Sequence, residues 1–225
     1  MNRPYLVAAS TPATVRAVAL IAHGGQERGV AAPRRLAPGL LRMIPIARDL
    51  ARQGGEGGLL VTQLRYRMVG YNDGAPVADV RWAIDQLATH NAPICLVGHS
   101  MGSRASLLAV GSTGVVGVVA LAPWCPPSDP VEQLAGRAVL FVHGLKDRVT
   151  SPARSYEFAL RVHAVTERSC RFTIARSGHG MVRRARVWHR LTTSFVLGAL
   201  ELHAMPRRFS DAMALPAEDA SDVAL

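Results

Sequence analysis

Six short apolar runs, at residues 15–22, 59–64, 94–98, 115–122, 138–143 and 171–175, are rich in valine, isoleucine and leucine and have the length of β-strands. Most are apolar on both sides of the pleat, the pattern of parallel strands buried between two helical layers. Helical periodicities lie between them. Leu40, Leu41, Ile44, Ala47, Leu50 and Ala51 fall on one helical face that stops at Gly54-Gly55, and Val77, Val80, Ala83, Ile84, Leu87 and Ala88 do the same from a start near Pro76. Further helices are predicted from Ser100 or Met101 to about Val110, over residues 151–165 with Pro152 at an early position, and over residues 186–202. Strands alternating with helices predict an α/β architecture with a mostly parallel, doubly wound sheet flanked by helices. The chain of 225 residues is long enough to bury one sizeable core. It reads as a single domain over residues 1–205, followed by a loosely ordered acidic tail over residues 206–225 that opens at Pro206-Arg207-Arg208.

Composition narrows the function classes. Hydrophobic residues at 49% and charged residues at 19% argue against disorder, collagen and coiled coil. The formal net charge is +10, and all but one of the 26 basic residues are arginine, Lys146 being the exception. A surface of that sign attracts anions, yet aromatic residues make up only 5% and no basic and aromatic run is interleaved, so no nucleic-acid partner is expected. The three cysteines, Cys95, Cys125 and Cys170, are far apart and lack CxxC spacing, which predicts reduced thiols, no metal site and a cytoplasmic setting. The apolar stretch at residues 15–22 ends in His23-Gly24-Gly25 and not in a cleavage site, so it is predicted as a strand and not a leader. No run of 18 apolar residues occurs, and no membrane span is predicted.

The sharpest chemical signal is Gly98-His99-Ser100-Met101-Gly102, placed directly after one predicted strand and before a predicted helix. A serine at the apex of such a turn has its Oγ thrust out of the sheet edge, and the flanking glycines permit the tight turn. The rival reading is a plain serine helix cap. A serine hydroxyl needs a base to take its proton and an acid to orient that base. Asp147 follows the strand at 138–143, in His143-Gly144-Leu145-Lys146-Asp147, and His179 follows the strand at 171–175, in Arg176-Ser177-Gly178-His179-Gly180. The order Ser, Asp, His is the one a nucleophile-elbow sheet uses, and each residue falls at a strand's C-terminal end, where open α/β sheets place their ligands. The first long strand ends in His23-Gly24-Gly25-Gln26, so the N–H groups of Gly25 and Met101 are the expected oxyanion donors, with Gln26 as a substitute.

These four segments, in this order, resemble the oxyanion turn, nucleophile elbow, acid turn and histidine loop of the α/β-hydrolase superfamily, over roughly residues 14 to 203. The resemblance implies that Ser100 is the nucleophile, Asp147 the acid and His179 the base; the sequence has no HExxH, P-loop, dinucleotide-binding glycine fingerprint or EF-hand, so no metal or cofactor is expected, and the expected substrate is a small molecule. Three departures accompany it. The early antiparallel strands are missing or reduced to Tyr5–Ala8; residues 65–74 replace a common Arg-Gly-x-Gly turn; and the 15 or so residues between the strands at 115–122 and 138–143 leave no room for a lid.

Other residues compete for roles. His99, inside the elbow, is expected to pack beneath the sheet edge, and His23 and His143 to be hydrogen-bonded turn residues. Asp129 is the alternative acid. Trp124, Met181, Met68 and Tyr71 lie in loops near the inferred active edge and are candidates for lining an acyl pocket, against ordinary packing. Cys125 has no partner motif and reads as a buried thiol. The expected function is hydrolysis of a carboxylic ester or thioester through an acyl-enzyme on Ser100, at a shallow site suited to short or medium acyl groups. Acyl transfer or amide hydrolysis by the same residues, or noncatalytic binding on a hydrolase scaffold, stay open, as does the oligomeric state.

Overall fold

The computed structural model describes residues 3–34 and 36–225. Its eight strands form one sheet: β1 (Tyr5–Ala8), β2 (Ala17–Ala22), β3 (Leu59–Arg65), β4 (Ile94–His99), β5 (Val115–Leu121), β6 (Ala138–Gly144), β7 (Ser169–Ile174) and β8 (Val223–Ala224). They lie in the order β1-β3-β2-β4-β5-β6-β7-β8, with β1 antiparallel to β3 and all other neighbours parallel. The single antiparallel strand is the segment Tyr5–Ala8, to which the early antiparallel strands are expected from the sequence to be reduced if present at all.

The pleat divides β2 cleanly. Ala17, Ala19 and Ile21 face one core with α1 (Pro38–Gly54) and α5 (Ala185–Ala199), whereas Val18, Leu20 and Ala22 face the other with α2 (Ala75–Leu87), α3 (Met101–Ala109) and α4 (Pro152–His163). Burial on both sides is what the continuous apolar runs encode. No helix among the described residues is long and apolar enough to cross a membrane. Between β5 and β6 the chain makes only a 3₁₀ turn at Glu132–Leu134, so no lid is inserted there.

The end of the chain corrects the expected loose tail. Residues 206–225 build α6 (Arg207–Met213), α7 (Ala217–Ala220) and β8, which adds to the edge of β7. Phe209 is fully buried, edge-on against Phe172 of β7 and Phe195 of α5. A second anchor is Arg171 of β7, 2% exposed, whose guanidinium donates to the carbonyls of Pro152 and Ser221, to Ser155 Oγ and to the Asp222 carboxylate. Polar composition hid two apolar anchors spaced for one face of a short helix, Phe209 and Ala212.

Candidate active site

The turn from β4 into α3 is built by close approach. Ser100 joins β4 to α3 at φ 55° and ψ −118°, a region that costs a non-glycine residue energy and persists only where neighbours enforce it. Its N–H donates to the Leu121 carbonyl at 2.9 Å, and its own carbonyl accepts from Arg104 N and Trp124 N. A Cβ at Gly98 would meet the Gly102 carbonyl oxygen and Ser103 Cα at 2.5 Å, and one at Gly102 would collide with the carbonyl oxygens of Ala22 and His23. Both glycines of the motif are therefore demanded by packing between β4, α3 and β2. The Ser100 side chain makes no capping bond to α3, which removes the helix-cap reading.

Asp147 and His179 are brought together by two interlocked loops. Lys146 N donates to the Ser177 carbonyl at 2.8 Å, and Ser177 Oγ, which accepts from Trp188 Nε1, ties the histidine loop to α5. His179 Nδ1 then donates to Asp147 Oδ2 at 2.8 Å. A carboxylate only accepts, so Nδ1 carries the proton and Nε2 keeps a free lone pair. Asp147 is seated by more than His179. Oδ1 accepts from the N–H groups of Val149 and Thr150, and Oδ2 also receives His143 Nε2 at 3.2 Å and lies 3.0 Å from Thr150 Oγ1. Burial alone would raise its pKa; the donors from His143, His179, Val149 and Thr150 outweigh burial and hold the carboxyl well below the usual range. His143 is itself fixed by Ser155 Oγ at 2.8 Å, the hydroxyl that Arg171 also contacts.

Thr150 and His143 as supports of Asp147 were not read as such from the sequence. The Asp-x-x-Thr spacing at 147–150 is the available signal, because an aspartate that turns back on the N–H groups two and three residues ahead is a known turn builder. The sequence predicts His143 as a hydrogen-bonded turn residue; it is hydrogen-bonded, to Ser155 and Asp147, but it lies within β6.

Ser100, His99 and His179 line a cavity of about 230 Å³ together with His23, Gly24, Gly25 and Gln26 from the loop after β2, Val69 from the loop after β3, and Pro33, Ala37, Pro38, Gly39 and Arg42 from the approach to α1 and its first turns. In this arrangement Ser100 Oγ is not hydrogen-bonded to His179. The N–H groups of Met101, Gly102 and Ser103 open α3 with no backbone acceptor, as the first turn of any helix must. Gln26 N–H is consumed by the Val69 carbonyl at 2.8 Å, which withdraws Gln26 as a backbone donor. Gly25 packs so closely that an added Cβ would lie 2.5 Å from both Met101 Cε and the Val69 carbonyl oxygen.

The four pocket candidates lie elsewhere. Tyr71 and Trp124 meet edge-on with centroids 5.2 Å apart, and the Arg104 guanidinium packs over both rings at 4.1 and 4.3 Å while pairing bidentately with Asp129 at 2.7 and 2.8 Å. This stack supports α3 from the side, and it commits Asp129 to Arg104, not to His179. Met68 Sδ accepts from Asn72 within its own loop, and Met181 is 4% exposed in the core beside α5. None of the four lines the cavity at Ser100. Cys125 is buried, which pushes its thiol up and away from thiolate chemistry.

His99 is more than packing. Its Nε2 donates to the His179 carbonyl at 3.0 Å, its ring lies 4.8 Å from the His179 ring, and its Nδ1 is buried without a partner. Burial first, then the proximity of His179, lowers its pKa to about 3, and burial likewise lowers that of His23 to about 4. Both rings stay neutral in the native state while an unfolded chain protonates them below about pH 6.5. A depressed native pKa therefore withdraws stability as pH falls through the unfolded value, about 2 kcal/mol for each ring between pH 7 and pH 5. Asp147 adds nothing in that window, because its unfolded carboxyl still ionises there. Burial lowers His143 and His189 in the same sense, so urea unfolding should show stability at pH 5 below that at pH 7 by at least the roughly 4 kcal/mol of His99 and His23 together; equal values at the two pH values would show that the buried rings accept protons in the native state.

No protein-family model matches the chain, and comparison with curated protein sequences finds no match. Solved structures do match. A lidless α/β serine hydrolase from Xanthomonas campestris superposes with a TM-score of 0.63 at 17% identity, covering 88% of each chain. The chain has the α/β-hydrolase fold. A protein of this fold from Paleococcus ferrophilus, a monoacylglycerol lipase, gives a TM-score of 0.64 at 14% identity over 88% of this chain and 99% of the other. Protein TT1662 from Thermus thermophilus gives 0.66 at 17% identity over 87% and 93%. Within the α/β-hydrolase fold, the cavity described here sits at the C-terminal ends of β2 and β4, beside the switch in strand order where such sheets place ligands.

Proposed function

We propose that this chain is a serine hydrolase that cleaves a carboxylic ester or thioester through an acyl-enzyme on Ser100. His179 is the base, Asp147 its orienting acid, and the N–H groups of Gly25 and Met101 the oxyanion donors. The observation that carries this reading is the 2.8 Å bond from His179 Nδ1 to a carboxylate held ionised by four donors, which leaves Nε2 as a lone pair at the cavity that Ser100 lines. His179 Nε2 takes the Ser100 proton as Oγ attacks the carbonyl carbon, and Asp147 stabilises the imidazolium so formed. The carbonyl oxygen, now negative, turns to the Met101 N–H at the α3 N-terminus, where the helix dipole favours an anion. The protonated imidazole next gives its proton to the departing alcohol or thiol, and water attacks the acyl-enzyme with His179 again as base. Its size, about 230 Å³, suits a short acyl group with the rest of the substrate in solvent. A fluorophosphonate tests the reading. Stoichiometric labelling that peptide mapping assigns to Ser100 is expected, and an unlabelled Ser100 with the protein folded would overturn it.

A further inference from the structure

Arg42 stands on the second turn of α1 with its guanidinium at the cavity that holds Ser100 and His179. Three other covered arginines are matched to carboxylates, Arg67 to Asp79, Arg104 to Asp129 and Arg171 to Asp222, whereas Arg65 and Arg137, which are away from this cavity, are not. Arg42, half-buried, makes no ion pair and no side-chain hydrogen bond among the described residues. No aspartate or glutamate lines the cavity. The guanidinium lies at the edge of the histidine loop, where a Cβ added to Gly180 would be in ordinary contact with it, 3.6 Å from Arg42 Nε and 3.7 Å from Nη2. Its charge reaches the elbow and is one of the influences that keep His99 neutral. A fixed planar fork with five donors, left unmatched by the protein beside the reacting serine, fits a carboxylate or other small anion supplied from outside.

We propose that the substrate of this site carries an anionic group within a few bonds of the scissile carbonyl, and that Arg42 binds it. The inference rests on the reading of Ser100 as nucleophile, and adds that the preferred esters are half-esters of short dicarboxylic acids or their close anionic equivalents. Arg42 selects substrate here and takes no part in the proton transfers. A charge-assisted bidentate contact gives about ten- to hundredfold discrimination.

The test compares monophenyl glutarate with phenyl pentanoate, which differ chiefly in the terminal carboxylate. Wild type is expected to favour the glutarate in kcat/KM by tenfold or more, Arg42→Gln to bring the ratio near one, Arg42→Glu to invert it, and Arg42→Lys to keep part of it. A wild-type ratio near one, or a ratio unchanged in Arg42→Gln, overturns the proposal. So does an equal loss on both esters in Arg42→Gln with the ratio intact, since that places Arg42 at the chemistry common to all esters. Binding of the same two compounds to Ser100→Ala, with and without Arg42→Gln, is read by calorimetry. If wild type turns over neither ester, the reading of Ser100 fails, while the binding ratio still decides the role of Arg42.

Discussion

Ser100→Ala is expected to lower turnover of an activated ester by about 10⁶-fold and to leave a residue of catalysis from the oxyanion donors and binding. The backbone that sets Ser100 at φ 55° is secured by its N–H on Leu121 and by the clearances that Gly98 and Gly102 provide, none of which involves the hydroxyl. Alanine meets the same backbone cost as serine there, so the variant should unfold at the wild-type urea concentration. Hydrolysis at near wild-type rate would remove Ser100 from the mechanism.

Asp147→Asn should cost about 10⁴-fold in turnover, because an amide nitrogen facing His179 draws the ring into the tautomer whose Nε2 holds the proton. Stability should fall too. Oδ2 receives His143 and His179 and lies beside Thr150 Oγ1, with the His143 side chain fully covered, and an amide NH₂ in that place sets donor against donor at a cost of about 1–3 kcal/mol. Asp129→Asn is the control: it weakens the support that Arg104 gives α3, with no effect on the tautomer of His179. Should Asp129→Asn show the larger loss in turnover and Asp147→Asn the smaller, the acid is Asp129.

The sheet was legible because burial on both faces leaves apolar runs with few alternatives, and all six runs became strands to within a few residues. The Ser100, Asp147 and His179 positions were legible because each follows such a run directly, so local spacing alone carries them to one edge. What covers the site was not. Pro33, Pro38, Val69 and Arg42 arrive from the loops after β2 and β3 and from the start of α1, and their meeting depends on long-range pairings such as Tyr71 N–H to the Gln26 carbonyl and Gly29 N–H to Asn72 Oδ1. Trp124 and Tyr71 misled for a related reason: an aromatic residue in a loop near an active edge looks like pocket lining until the arginine it stacks on is known, and Arg104 lies on a different element. The last twenty residues read as tail because their anchors are few and are met by distant elements, β7, α5 and α4.

One contact chain runs from that last segment inward: Asp222 to Arg171, Arg171 to Ser155, Ser155 to His143, and His143 to Asp147. Lifting β8 away takes from the covered Arg171 guanidinium two of its four partners, the Ser221 carbonyl and the Asp222 carboxylate, and leaves it on Pro152 and Ser155 alone, so water is expected to replace the lost acceptors beneath α4. Local opening of the chain's end is then expected to loosen the Asp147 turn with it, and the amides of β7, of β8 and of residues 147–150 should exchange as one unit, although they are spread over nearly eighty residues of sequence.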